Sequence, residues 1–150
     1  MIISTKELFL PDITMELYSY YKEQLINLYD QLSHNENLTM MKDNSFIDFL
    51  NRSRVFLYVS DRMEILGAIT VLYEKKIIHN GGVVAHIEDF VVHKDHRGKG
   101  IGKELMNHAI EDSKKNKVYK VILDCKDDMI TYYEKFGYES KNVQMSLYFE

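Results

Sequence analysis

A mixed α/β (α+β) fold, with a mostly antiparallel central sheet flanked by helices, is predicted by three features of this chain. Two apolar, β-branched runs at 55–60 (VFLYVS) and 65–73 (ILGAITVLY) are separated by four residues, which suits an antiparallel hairpin. Two later strand patterns, at 83–92 and 118–124, each run into a helical pattern, which adds helices to the faces of a mixed sheet. A length of 150 residues, with one proline and no Ser/Gly-rich linker, suits one domain over 1–150.

Each element has its own justification. Residues 4–10 (STKELFL) read as a short first strand, stopped by Pro11 and Asp12. Leu17, Tyr18, Tyr21, Leu25, Leu28, Tyr29 and Leu32 then recur at steps of three and four, which predicts an amphipathic helix capped by Thr14 or Asp12. A second helix is expected within 39–51, carrying Phe46, Phe49 and Leu50. Gly67, inside the second hairpin strand, marks a bulge or a close approach. After the strand at 83–92, Ile101, Leu105, Met106, Ala109 and Ile110 share one face of a helix over 103–113. The alternating run at 118–124 predicts a fifth strand. Asp127 or Asp128 can cap a helix reaching Phe136, with Gly137 as its stop. Residues 143–149 (VQMSLYF) read as a last strand, so the expected order is βααβββαβαβ.

Composition narrows the function. Hydrophobic residues at 45% and charged residues at 28% describe a soluble globule. No apolar run approaches the ~20 residues of a membrane span, and the first ten residues lack a basic start and a long apolar core, so no signal peptide is expected. Cys125 is alone, which fits a reducing, cytoplasmic setting and a small buried hydrophobe on a strand. A net charge of −4 argues against nucleic acid as the partner. The positive charge is local instead: His93, Lys94, His96, Arg97, Lys99 and Lys103 fall within eleven positions, as suits a small polyanion.

That basic stretch contains Gly98, Gly100 and Gly102 between a strand and a helix. Glycines let backbone N–H groups approach a ligand, and the helix start adds a positive dipole end, so the pair makes an anion cradle. A dinucleotide fingerprint would need a third glycine at Lys103, and a Walker loop would need Ser or Thr where Glu104 stands. What remains is R-x-x-G-x-G.

Upstream, Glu88 and Asp89 interrupt an apolar strand. Neighbouring strand residues face opposite ways, so a regular ladder would drive one acid toward the core. Either a bulge turns one of them into a cleft, or both are hydrated at a strand edge.

Arg97, Gly100 and Gly102 resemble the acetyl-CoA pyrophosphate loop of the GNAT N-acetyltransferase family. A wider set of pieces is similar to the glucosamine 6-phosphate branch of that family: QLS at 31–33, KKIIHN at 75–80, HIEDFVV from His86, YKVILDC from Tyr119 and YYEKFGY from Tyr132. The resemblance implies the GNAT fold and acetyl transfer from acetyl-CoA to the 2-amine of glucosamine 6-phosphate, with no metal. It also implies a homodimer whose sites take residues from both subunits. By position it implies that Phe90, Val91, Val92, Arg97, Gly98, Lys99, Gly100, Ile101 and Gly102 hold acetyl-CoA. Ser33, Lys76, Ile77, Ile78, His79, Glu88 and Asp89 would line the sugar site, with Asp124 reaching in from the partner to the amine. The reaction needs an unprotonated amine, donors for the developing oxyanion and an acid for the departing thiolate. Tyr133 matches the family's tyrosine that faces the sulfur, and a phenol donates a proton without carrying charge. Two departures stand out: Met129 replaces an asparagine beside the pantetheine arm, and Tyr148 replaces an arginine that grips the sugar phosphate. A GNAT enzyme for another small amine or a protein N-terminus is the alternative, and a non-catalytic acyl-CoA-binding module is a third; KKIIHN and HIED favour the sugar.

Overall fold

The structure is a computed structural model that describes residues 1–9, 12–32 and 43–149. Its elements are β1 (Ile2–Ser4), α1 (Thr5–Leu8), α2 (Met15–Tyr29), α3 (Asp43–Arg52), β2 (Arg54–Val59), β3 (Ile65–Lys75), α4 (Ile78–Gly81), β4 (Val83–Val92), α5 (Ile101–Lys115), β5 (Lys120–Ile122) and α6 (Ile130–Glu134). Short 3₁₀ turns at Lys94–His96 and Asp127–Met129 precede α5 and α6. The sheet order is β1-β2-β3-β4-β5, antiparallel throughout except for the parallel β4–β5 pair. This is the mixed, mostly antiparallel sheet expected from the hairpin and the strand-fed helices.

Strand alternation divides the apolar residues between two cores. On one face Val55, Leu57, Val59, Ala68 and Val91 pack with Leu25 and Leu28 of α2 and Phe46 of α3. On the other face Phe56, Ile69, Val71, Ala85 and Ile87 pack with Leu105, Met106 and Ala109 of α5. Fully burying a leucine is worth about 1.5–3 kcal/mol, so these two layers are what hold the sheet between its helices. Gly67 is both things expected of it. The β2–β3 register shifts beside it, and a Cβ there would meet Leu105 Cδ1 at 2.9 Å. At the sheet's far end Arg54 Nη1 lies 2.9 and 3.0 Å from the two Asp112 carboxylate oxygens, and Tyr73 Oη donates to the same group at 2.5 Å. That knot pins the C-terminal end of α5 to β2 and β3.

Four expectations are corrected. Cys125 is exposed and follows β5 instead of being buried on a strand. The first strand is Ile2–Ser4, and the residues after it form α1. The cause is a capping box: Ser4 Oγ accepts from Glu7 N–H at 3.3 Å and the Glu7 carboxylate accepts from Ser4 N–H at 2.6 Å. Neither Asp127 nor Asp128 caps α6 through its side chain; both sit in the 3₁₀ turn that leads into it. Residues 143–149 form no strand, and Val143, Met145, Leu147, Tyr148 and Phe149 are all exposed. A strand is a pairing as well as a propensity, and among the described residues no neighbour supplies the ladder.

Candidate active site

Both pairings of β4 break close to the acid pair, within a few residues of each other. On the β3 side Ala68 pairs with Val91 and Thr70 with Glu88, so Asp89 and Phe90 together oppose Ile69. That is a β-bulge with one extra residue on β4. Asp89 accommodates it at φ 46°, in the left-handed region that aspartate tolerates better than most residues. On the β5 side the ladder ends at His86 and Ile122. Beyond that pair a cavity of about 300 Å³ opens, lined by Leu32, Ile87, Glu88, Asp89, Phe90, Leu123, Asp124 and Tyr133. Of the two arrangements open to the acid pair, the bulge is the one that forms.

Three carboxylates therefore share one cavity with one phenol. Burial pushes the Glu88 carboxyl above its ordinary range, and the nearby charges of Asp89 and then Asp124 push it further. Asp89 is raised by burial. Such a group attracts a protonated amine and is a stronger base than an ordinary carboxylate. Tyr133 faces them from α6; burial, then Cys125 and Tyr132, push its phenol up to about 12, so it keeps its proton. Asp124 lines this cavity together with Glu88.

The glycine loop lies just beyond the bulge. Arg97 Nε donates to Val92 C=O at 3.1 Å and Lys99 Nζ to Asp95 C=O at 3.0 Å, which folds the loop back on itself. Gly100 is the N-cap of α5 at φ 86°, a conformation disfavoured for every L residue, and it offers no side-chain cap. Glu104 N–H already bonds Gly100 C=O at 3.1 Å. The amides of Ile101, Gly102 and Lys103 are thus the first-turn donors without an intrahelical partner. Gly102 is glycine for a different reason, since a Cβ there would lie 2.9 Å from Tyr132 Oη and 3.2 Å from Phe90 Cζ.

Comparison with known proteins decides what this arrangement belongs to. A model of the acetyltransferase (GNAT) family matches residues 14–138. The chain belongs to the GNAT family. A glucosamine 6-phosphate N-acetyltransferase of Arabidopsis thaliana is 43% identical over 81 residues, covering 54% of this chain and 54% of that protein. The enzyme of the same name from Schizosaccharomyces pombe is 34% identical over 99 residues, covering 64% of this chain and 89% of that one. The chain spans about half the length of the plant relatives it matches. Among solved structures, glucosamine-6-phosphate N-acetyltransferase from Arabidopsis thaliana superposes with a TM-score of 0.78 at 31% identity, covering 88% of this chain and 93% of that one.

Within this GNAT domain the residues singled out from sequence fall into groups. Glu88, Asp89, Phe90, Asp124 and Tyr133 converge on the cavity. Val91 and Ile101 are buried in opposite cores, at 3% and 4% exposure, so only their backbones are free to meet a ligand. Lys76, Ile77, Ile78 and His79 lie apart from the cavity lining, on the turn between β3 and β4. That turn is left-handed at His79 and Asn80, with φ 53° and 55°, and the His79 ring packs on Tyr119 at 4.5 Å. Lys76 is ion-paired with Glu74, whose other oxygen lies 2.9 Å from His86 Nε2. Tyr148 is 90% exposed and touches none of these groups. Ser33 lies outside the described residues. Leu32, Ile87 and Leu123 complete the cavity and were not singled out; they are ordinary apolar residues whose role depends on where the strands part. Gln31 was quoted only within QLS, yet its Oε1 accepts from Lys94 N–H at 2.9 Å and ties the end of α2 to the glycine loop.

Proposed function

We propose that this protein is an N-acetyltransferase that moves the acetyl group of acetyl-CoA to the 2-amine of glucosamine 6-phosphate, giving N-acetylglucosamine 6-phosphate. The observation that carries the reading is the convergence of Glu88, Asp89, Asp124 and Tyr133 on one cavity, beside a glycine loop that opens α5. The names of the relatives supply the sugar. Acetyl-CoA brings an activated acyl group, and the rest falls to the chain's own residues. The amides of residues 101–103, with Arg97 and Lys99, would hold the pyrophosphate. Glu88 receives the proton the amine must lose, and Asp124 orients that amine. Backbone N–H groups freed by the bulge at Asp89 and Phe90 face the charge that develops on the carbonyl oxygen. Tyr133 donates a hydrogen bond to the departing sulfur. With its phenol at about 12 and a thiol near 8.5, complete proton transfer would be uphill by about 5 kcal/mol. Tyr133 therefore stabilises the thiolate as a donor and stays protonated.

The unit acts as one cytoplasmic catalytic domain over 1–150, feeding UDP-N-acetylglucosamine formation, and it works as a homodimer. Supporting the dimer is the exposed apolar run of residues 143–149, which a second copy would pair. In the dimer Lys76 and His79 would meet the sugar phosphate, with Tyr148 contributing a neutral donor where an arginine would give two charged ones. The deciding experiment is an amine panel with thiol release as readout: glucosamine 6-phosphate, free glucosamine, spermidine, an aminoglycoside and an N-terminal peptide. Turnover of glucosamine 6-phosphate well above the others is expected. Preference for any other amine would move the chain to a different GNAT substrate class.

A further inference from the structure

On the α2 side of the sheet, outside the cavity lining, lie two polar atoms that the chemistry above does not use. Tyr29 Oη, in the last turn of α2, and Thr70 Oγ1, in β3, are both buried, and neither makes a hydrogen bond of normal geometry. Buried hydroxyls are nearly always partnered, so each such atom calls for an explanation. Their placement is specific. Thr70 pairs with Glu88 across the ladder, the last pair before the bulge, and cross-strand partners share a face. That face is the one α2 covers. Tyr29 is locked there by an edge-on contact with Phe49, with ring centroids 6.5 Å apart. Its carbonyl accepts from the N–H of Leu32 at 2.9 Å, and Leu32 lines the cavity.

On the cavity side stands Asp89, an exposed residue of the lining that makes no hydrogen bond to the described residues. The other ionisable groups around the cavity are Glu88 and Asp124, which repel it, and Tyr133, whose donor is used for sulfur; His86 sits one pleat back beside Glu88. Thr70 and Asp89 are the polar groups whose influence reaches the Tyr29 phenol: burial raises it, Thr70 lowers it and the Asp89 charge raises it. The two buried hydroxyls thus have no partner but each other, and Asp89 has no donor among the described residues.

We propose that Tyr29, backed by Thr70, is a positioning residue for Asp89: its phenol O–H donates to the Asp89 carboxylate, directly or through one water, and holds that carboxylate toward the substrate. The proposal rests on the reading of the cavity as the sugar site. The bond is charge-assisted, so it favours the ionised form of Asp89 and restricts its orientation at the bulge. A water bridging Tyr29, Thr70 and Asp89 would have three polar partners, the number a buried water normally has.

Tyr29→Phe removes the donor and keeps the shape, and Thr70→Val does the same for its support. The first readout needs no substrate: a ¹³C NMR titration of the Asp89 carboxyl, assigned by its loss in Asp89→Asn. The midpoint should rise by about half a pH unit in Tyr29→Phe, about threefold in the ionisation constant, because a donor to the charged form is lost. The second readout is kinetic. KM for glucosamine 6-phosphate should rise about threefold to tenfold with KM for acetyl-CoA unchanged, and the double variant should be no worse than Tyr29→Phe, since both act through one bond. An unmoved midpoint overturns the proposal whatever the kinetics. The hydroxyls would then be packing alone, and Tyr29→Phe should simply raise Tm. If Tyr29→Phe failed to fold, the Thr70→Val titration would decide in its place. A raised midpoint in a protein that does not acetylate the sugar supports the Tyr29–Asp89 bond and sinks the substrate reading instead.

Discussion

Replacing Gly100 by valine separates backbone strain from ligand chemistry. Gly100 sits at φ 86°, with no atom within 4 Å of where its Cβ would be. A Cβ there meets no neighbour, so the main cost is conformational: about 1–2 kcal/mol for a left-handed L residue, more for a β-branched one. The loop is exposed, and it relieves that strain by rotating the peptide that opens α5. Rotation carries the amides of residues 101 and 102 out of the cradle. A hydrogen bond to a charged group is worth about 1.5–3 kcal/mol, so losing one amide is already a tenfold loss or more, at 1.4 kcal/mol per decade. The assay is titration calorimetry with acetyl-CoA, alongside Tm. Gly100→Val should raise Kd at least tenfold while lowering Tm only slightly. Gly81→Ala is the control: its φ is 76° but it lies on the β3–β4 turn, away from the loop. It should lower Tm by a similar amount and leave the acetyl-CoA Kd alone. A folded Gly100→Val protein that binds acetyl-CoA within twofold of wild type would refute the loop assignment.

Three further outcomes are expected. Tyr133→Phe should lower kcat by about 10²-fold or more with acetyl-CoA affinity unchanged; wild-type turnover with chemistry rate-limiting would transfer the sulfur's donor to another residue. Glu88 has a carboxyl raised in the fold by burial, then by Asp89 and Asp124, so its charge costs stability above the raised pKa and the cost is relieved as pH falls through it. Glu88→Gln should accordingly raise Tm at pH 7, lose that advantage in acid below about pH 4, and reduce kcat/KM by about 10²-fold or more; a lower Tm at pH 7 would mean that Glu88 is structural. Removing residues 143–149 should convert a dimer to a monomer by light scattering. A truncated protein that stays dimeric at the same concentration would place the interface elsewhere.

The amino-acid sequence alone determined those parts of this protein that depend on near neighbours in the chain. The period from Leu17 to Tyr29 made α2, and of the two caps open to it, Thr14 and Asp12, Thr14 is the one used. The β2–β3 hairpin followed from two β-branched runs and a short turn. The glycine loop was legible because its chemistry is local, three glycines and a helix start within five positions. The acid pair at Glu88 and Asp89 pointed to a bulge or a hydrated strand edge, and the β3–β4 register decided for the bulge. Ser4 and Glu7 held a signal that was readable but was outweighed by the apolar end of the same stretch. Tertiary structure decided the rest. Nothing near Asp124 or Leu123 shows that they share a cavity with Glu88, because that depends on β5 leaving β4 after three pairs. The apolar run of residues 143–149 has strand propensity and no strand, because a ladder needs a second backbone. Tyr29 and Thr70 are forty-one positions apart and look like core residues in the sequence. Only the packing of α2 on the bulged face turns their hydroxyls into a pair, since burial and hydrogen bonding are properties of neighbours in space.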